Sequence, residues 1–91
     1  MSVVNRIKQA AASSIHQLYG SSVVPEQVLV NQTKPEFEGD YTVVLFAFVK
    51  ELKKSPEQLG QELGTEMVAR FHELFTAYNV VKGFLNLTIN A

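Results

Sequence analysis

The last run of the chain, residues 84–90, most strongly limits the possible fold. Apolar and polar side chains alternate along it, which is the period of a β-strand with one buried face. The apolar members are Leu85, Leu87 and Ile89. A second β-prone segment, residues 78–81, precedes Lys82-Gly83, so we predict a β-hairpin that turns at these two residues. A sheet with one buried face needs a second layer to cover that face.

Two segments with the helical period can supply this layer. Residues 2–19 carry apolar side chains at steps of three and four, and Ser2 and Gly20 are suited to begin and end that helix. Ser55 followed by Pro56 is the most specific local signal in the chain and predicts a second helix that runs to about residues 72–75. The two apolar stripes are Val4, Ile7, Ala11, Ile15 and Leu18, and Leu59, Leu63, Met67, Phe71 and Leu74.

Two glycines lie one turn apart inside the second helix. Gly60 and Gly64 each lower helix stability by about 1 kcal/mol relative to alanine. We therefore predict that another element approaches the helix closely at these positions.

The middle of the chain completes the predicted order of elements. Residues 28–33 are rich in β-branched side chains and predict a strand, and residues 41–45 predict a second strand that passes into a helix over residues 46–54. The order is then α, β, β, α, α, β, β. The predicted fold class is α+β, a two-layer domain with an antiparallel sheet of about four strands against about three α-helices. We expect residues 1–91 to form this single domain.

Charge and cysteine content narrow the function classes. Eight Lys and Arg residues against nine Asp and Glu give a formal net charge of -1. Any nucleic-acid or membrane binding must therefore come from a local patch. There is no cysteine, the start has no signal-peptide pattern, and no apolar run approaches about 20 residues. We expect a cytoplasmic protein without a membrane partner.

The residues of an active site or metal centre are missing from the sequence. There is no glycine-rich phosphate loop, and His16 and His72 stand alone in separate predicted helices. We therefore expect no catalytic residue, metal or cofactor in this chain. Glu38 and Asp40 are either a carboxylate pair or, more simply, a solvated glutamate and a turn-stabilising aspartate. Three lysines near the end of the predicted helix are either solvated or phosphate contacts. They are Lys50, Lys53 and Lys54.

The polar and aromatic loop at residues 34–41 is the best candidate for a recognition surface. Pro35 fixes its own φ angle and disfavours helix at Lys34, while Gly39 permits a backbone path closed to other residues. A loop of this kind presents its side chains to solvent.

Several short motifs, in this order and spacing, resemble one known family. They are Lys34-Pro35, Gly39-Asp40-Tyr41, Lys50-Glu51-Leu52-Lys53-Lys54, Ser55-Pro56-Glu57-Gln58-Leu59 and Val81-Lys82-Gly83-Phe84-Leu85-Asn86-Leu87. With them, essentially the whole chain resembles the N-terminal domain of arginyl-tRNA synthetase. The resemblance implies an α+β appendage that precedes a class I catalytic core and contacts the outer corner of tRNA around the D-loop. It also implies two partners, arginine-accepting tRNA and the catalytic core of the same polypeptide. ATP would bind to that core, whose signatures are absent from this chain.

The resemblance directs attention to nine candidate RNA-binding residues. Phe37 or Tyr41 would stack on bases, although both are equally well explained as residues that close the core under the loop. Asn31, Gln32 and Asn86 would supply amide contacts, Lys34 and Lys82 phosphate contacts, and Gly39 and Asp40 belong to the same loop. Phe84, between two apolar runs, is interpreted as a core residue.

The sequence departs from the common family pattern at two places, and its net charge is compatible with a rival function. Glu38 stands before Gly39 where the family commonly has histidine or an aromatic residue, and it would repel a nearby phosphate. Thr42-Val43-Val44 follows Tyr41 where small polar residues, including asparagine, are usual. Near-neutral charge favours a rival function, a protein–protein interaction domain that uses a helix face or a strand edge.

Overall fold

A four-stranded antiparallel sheet with helices against one face forms the protein in the computed structural model, which describes residues 2–90. The elements are α1 (Val3–Tyr19), a short 3₁₀ turn (Pro25–Gln27), β1 (Leu29–Gln32), β2 (Tyr41–Val44), α2 (Phe46–Leu52), α3 (Pro56–Arg70), β3 (Phe75–Val81) and β4 (Phe84–Ile89). The strand order is β1-β2-β4-β3, and every neighbouring pair is antiparallel. The predicted α+β class and the order of its elements are confirmed.

The predicted helix starts are confirmed by their capping bonds. The Asn5 N–H donates to Ser2 Oγ at 3.1 Å, and the Gln58 N–H donates to Ser55 Oγ at the same distance. Each bond satisfies one of the backbone donors that the first helical turn leaves without a partner. At the other end of α1, Gly20 takes a φ of 69° and its N–H donates to the His16 carbonyl, which ends the helix.

The core lies between the sheet and the two long helices. Burying each large apolar side chain contributes about 1.5–3 kcal/mol, so this layer supplies most of the stability of the fold. Its largest fully buried members are Ile7 and Ile15 of α1, Leu59, Leu63 and Met67 of α3, Phe48 of α2, and Val43, Phe75, Leu85 and Leu87 of the sheet. Leu18 continues the predicted stripe of α1 but is 37% exposed and does not belong to the core.

The predicted end of α3 is wrong. The helix ends at Arg70, Phe71 leaves the helical conformation with φ -123° and ψ 47°, and β3 already begins at Phe75. Apolar residues at 71, 74 and 75 fit a helical stripe, but Phe75 is fully buried opposite Ile89 in the sheet. Pairing with β4 therefore overrides the local helical period.

Other boundaries shift by one or two residues. β1 omits residues 28 and 33, and β2 ends one residue early because Leu45 takes a helical conformation before α2. α2 ends at Leu52 rather than residue 54, because Lys53 adopts the left-handed conformation with φ 55°.

The close approach predicted at the two helix glycines is confirmed. A Cβ atom on Gly60 would lie 2.7 Å from Cγ1 of Val80, and one on Gly64 would overlap the ring of Tyr78. The Tyr78 side chain extends to α3, where its hydroxyl donates to Gln61 Oε1 at 2.8 Å. These glycines therefore let α3 lie directly on β3.

The predicted hairpin turn at Lys82-Gly83 is also confirmed. Val81 pairs with Phe84, and Lys82 takes a φ of 55° between them. The ring of Phe46, the first residue of α2, lies against Gly83 where any Cβ atom would be. This contact fixes α2 at the end of the sheet. Within residues 2–90, no helix combines the length and hydropathy needed to cross a bilayer.

Candidate nucleic-acid interface

The candidate site lies on the helix-free face of the sheet, the face opposite α1 and α3. Alternation along the strands places two cross-strand rows there. One row is apolar and contains Leu29, Val44, Phe84 and Val81, and the other is polar and contains Asn31, Thr42, Asn86 and Asn79. The apolar row is well exposed, with Leu29 at 56% and Phe84 at 36%, and Phe46 packs edge-on against Phe84 with ring centroids 5.6 Å apart. This face therefore offers aromatic rings and amide groups side by side.

The loop over residues 33–40 folds across the polar row. The Phe37 N–H donates to the Lys34 carbonyl at 3.0 Å, with Pro35 at the second position of the turn that this bond closes. Gly39 has a φ of 128°, and a Cβ atom there would lie 3.1 Å from Cβ of Asn86. Glycine is required at this position both for its backbone conformation and for the close approach to β4.

A chain of hydrogen bonds beneath this loop joins the loop to three strands, β2, β4 and β3. Thr33 and Thr42 share a bond of 3.0 Å between their hydroxyl oxygens, and the Thr42 hydroxyl donates to Asn86 Oδ1 at 2.5 Å. Asn86 Nδ2 donates to Asn79 Oδ1 at 3.0 Å, and Asn79 Nδ2 donates to the Glu38 carbonyl at 2.7 Å. Thr42 and Asn86 are almost fully buried by the loop. Buried polar groups are satisfied here by each other, which is the arrangement that such groups require.

A pocket of about 90 Å³ opens between the loop and the two rows. Its lining residues are Asn31, Gln32, Lys34, Phe37, Thr42, Phe84 and Asn86. Five of the nine predicted site residues are in this set, brought together from β1, the loop and β4. Their rings, amides and single cation are the groups that stack on a nucleobase and bond to its edge.

Sequence reasoning missed Thr42 and Phe84 as pocket residues. The interpretation of Phe84 as a core residue is wrong, since its side chain lies on the helix-free face. The alternation of β4 contained the signal, because Phe84 is two residues from Asn86 and must share its face. Thr42 is placed by its pairing with Asn86, which is 44 residues away and is not visible in a local pattern.

The structure does not bring the other four predicted site residues to the pocket. Tyr41 packs partly buried against the core on the opposite face, which agrees with the alternative that it closes the core. Asp40 Oδ2 accepts the Ile89 N–H at 2.8 Å, a bond that joins the end of the loop to β4. Gly39 shapes the loop, and Lys82 lies exposed beyond Phe84 at the other end of β4. RNA contacts by these four residues stay predictions.

The lysines near the end of α2 do not line the pocket, and one of them has a defined structural role. Lys54 Nζ lies 3.3 Å from Glu62 Oε1 and 5.3 Å from the centre of the Tyr19 ring. The Tyr19 hydroxyl donates to the same carboxylate at 2.6 Å. Burial and this bond raise the pKa of Tyr19, and the same hydrogen bond, assisted by Gln58 and Lys54, lowers the pKa of Glu62. These contacts form the Glu62 cluster, made of Tyr19, Lys54, Gln58 and Glu62, which joins α1 to α3. Lys50 and Lys53 are exposed.

No set of three His, Cys, Asp or Glu side chains in residues 2–90 is arranged to hold a metal ion. His16 lies in α1, and His72 lies between α3 and β3, exposed, with its Nδ1 3.7 Å from Glu73 Oε2. The pocket lining offers aromatic rings, side-chain amides and one lysine for stacking and hydrogen bonding.

Comparison with known proteins gives one consistent result. The family model described as the arginyl tRNA synthetase N terminal domain matches residues 5–89. An arginine–tRNA ligase of Phocaeicola vulgatus is 46% identical over 89 residues, which are 98% of this chain and 15% of that protein. One from Amoebophilus asiaticus is 34% identical over 83 residues, or 91% of this chain and 14% of that protein. The arginyl-tRNA synthetase of Thermus thermophilus has the same fold, with a TM-score of 0.80 and 28% identity over 98% of this chain and 14% of that chain. The chain thus spans about a seventh of the length of each of these proteins.

Proposed function

Because the chain belongs to the family of arginyl-tRNA synthetase N-terminal domains, we propose that it is the tRNA-recognition part of such an enzyme and contacts the outer corner of tRNA in the D-loop region. Residues 1–91 act as one domain in this proposal. The rest of the polypeptide carries the class I catalytic core, which uses ATP to join arginine to its tRNA in the cytoplasm. The partners are then arginine-accepting tRNA and that core.

The pocket on the helix-free face is the observation that carries the proposal. Loops of RNA are recognised by splaying out bases, stacking them on aromatic rings and bonding to their edges. Phe84 and Phe37 supply exposed rings to the pocket lining, Asn31 and Gln32 supply exposed amides, and the buried Asn86 also lines the pocket. Stacking contributes about 1–3 kcal/mol per base and does not require a strongly basic surface. A chain of formal net charge -1 can bind RNA in this way.

The charges around the pocket predict weak dependence on salt. Lys34 is the cation in the pocket lining, while Glu36 and Glu38 project from the same loop. Each contact with a phosphate of single-stranded RNA contributes about 0.7 to the slope of log affinity against log salt. One or two such contacts, from Lys34 and Lys82, give a slope well below that of a basic RNA-binding protein.

A titration of the 91-residue chain with arginine-accepting tRNA at low and high salt tests the proposal. We expect measurable binding at low salt and a loss of affinity of about tenfold in Phe84→Ala, because about 1.4 kcal/mol of stacking corresponds to that factor. Val24→Ala is the matched control, since Val24 is 53% exposed and does not line the pocket. Circular dichroism should establish that each variant is folded.

Competition with RNA fragments tests the finer claim about the D-loop. A hairpin with the sequence of the D-arm should displace the tRNA, and an anticodon hairpin of the same length should not. Absence of binding at low salt, or equal competition by the two hairpins, would contradict the D-loop assignment. The rival function, a protein-interaction domain without RNA contact, predicts the first of these two results.

A further inference from the structure

The hydrogen-bond chain beneath the loop has a direction that one group determines. The Glu38 carbonyl at its end can only accept, so Asn79 must turn its Nδ2 toward that carbonyl. Asn79 then presents Oδ1 to Asn86, which must respond with its own Nδ2. The amide orientation of each asparagine follows from the one before it.

The same reasoning continues across β2. With Nδ2 toward Asn79, Asn86 presents Oδ1 to Thr42, whose hydroxyl donates to it. A hydroxyl has one proton, so Thr33 must be the donor in its bond with Thr42. If the Asn86 amide were reversed, its Oδ1 would face Asn79 Oδ1, and two acceptors would meet without a proton between them. The loop carbonyl therefore sets the donor and acceptor roles of every group as far as Thr33.

We propose that Asn79, which does not line the pocket, is a positioning residue for RNA recognition: it fixes the amide orientation of Asn86 and holds the loop that carries Lys34 and Phe37. This inference rests on the proposed function. Asn79 lies on edge strand β3 and Glu38 lies 41 residues earlier, so their bond is a direct link from β3 to the loop. One of the two bonds of Asn79 holds the loop and the other orients the Asn86 amide.

Two substitutions separate the two roles of Asn79. In Asn79→Asp the carboxylate still accepts from Asn86 Nδ2 but repels the Glu38 carbonyl, so the loop is released while the Asn86 amide keeps its orientation. Asn79→Ala removes both bonds. Asn90→Asp is the matched control, because Asn90 Nδ2 also donates to a backbone carbonyl, that of Glu73, away from the pocket.

The structural readout is NMR of scalar couplings across hydrogen bonds in the free 91-residue chain. In the wild type we expect a coupling from Asn79 Nδ2 to the Glu38 carbonyl carbon and one from Asn86 Nδ2 to Cγ of residue 79. Asn79→Asp should lose the first and keep the second, and the Phe37 amide should exchange faster with solvent. A fold defect alone would change all couplings together.

The functional readout is affinity for arginine-accepting tRNA. We expect a loss of about tenfold in Asn79→Asp, a larger loss in Asn79→Ala and no change in Asn90→Asp. Wild-type affinity in Asn79→Asp, or a wild-type spectrum without the two couplings, would overturn the inference. If the wild-type chain binds no RNA, the proposed function fails, and the couplings and the exchange of the Phe37 amide still decide whether Asn79 positions Asn86 and the loop.

Discussion

In the middle of β4, at residues 86 and 87, the two faces of the sheet are almost equally buried but are held in different ways. Leu87 is fully buried under the helices, and its neighbour Asn86 is 1% exposed under the loop of residues 33–40. The first side chain is held by apolar contacts with many partners, whereas the second is held by two directional hydrogen bonds. Burial alone therefore does not distinguish the residues that stabilise the fold from those that shape the site. The two groups are distinguished by their contacts, which are apolar for residues of the core and hydrogen-bonded for residues of the site.

The largest effect is expected on the helix-covered face. Leu87→Ala removes a fully buried side chain, which should lower the free energy of unfolding by about 2–5 kcal/mol. Denaturation with urea measures it. RNA affinity of the fraction that remains folded should change little, and a loss of affinity without a loss of stability would break the distinction between the faces.

A substitution in α3 sharpens the comparison because two principles predict opposite signs. Helix propensity alone predicts that Gly64→Ala stabilises the protein by about 1 kcal/mol. The overlap of its Cβ atom with the Tyr78 ring predicts instead a loss of about 1–3 kcal/mol, which we expect to prevail. Thermal or urea denaturation decides the sign. Ala69→Gly, at an exposed position of the same helix, serves as the propensity control and should cost about 1 kcal/mol.

On the helix-free face we expect a change in recognition with a smaller change in stability. Thr42→Val keeps the shape of the side chain and removes the hydroxyl that donates to Asn86 Oδ1, so stability should fall by about 1 kcal/mol. Titration with tRNA should show several-fold weaker binding. Thr88→Val, on the same face of β4, is the control and should leave affinity unchanged; equal effects of the two substitutions would contradict the role of the hydrogen-bond chain.

The smallest effect is expected from the Glu62 cluster, which joins α1 to α3. The bond from Tyr19 lowers the pKa of Glu62, so its stabilisation is present above the ordinary glutamate pKa of 4.5 and is lost as the pH falls through the lowered value. Glu62→Gln should lower stability at neutral pH by less than about 1 kcal/mol, because the side chain is 36% exposed and screened by water. The difference from the wild type should vanish in acid. A difference that grows in acid would reverse the assigned sign.

Local sequence signals predicted the helices and strands well. They failed where pairing with a distant strand overrides the local preference. The caps at Ser2 and Ser55 and the alternation of residues 84–90 depend on near neighbours and were confirmed. The end of α3 was predicted too late, because residues 71–75 fit a helix locally and only β4 supplies the partner that makes Phe75 part of a strand.

The candidate site was predictable as a set of residue types but not as a geometry. The amides at Asn31, Gln32 and Asn86 were selected, and the structure brings them to one pocket with Lys34 and Phe37. The link from Asn79 to the Glu38 carbonyl spans 41 residues, and no local pattern indicates a side chain that bonds to a distant backbone group.

The central position of β4 has a consequence for how the protein folds. β4 is the last strand of the described residues, yet β2 and β3 both pair with it, and the pairing of Thr42 with Asn86 closes a span of 44 residues. Contacts of such long sequence separation slow folding relative to a helical protein of similar size. Before β4 joins, β2 and β3 are not connected in one sheet. The pocket then lacks two of its seven lining residues, Phe84 and Asn86. A nascent or truncated chain without β4 therefore lacks part of the core and part of the pocket, so competence to bind appears in the same step as the completed fold.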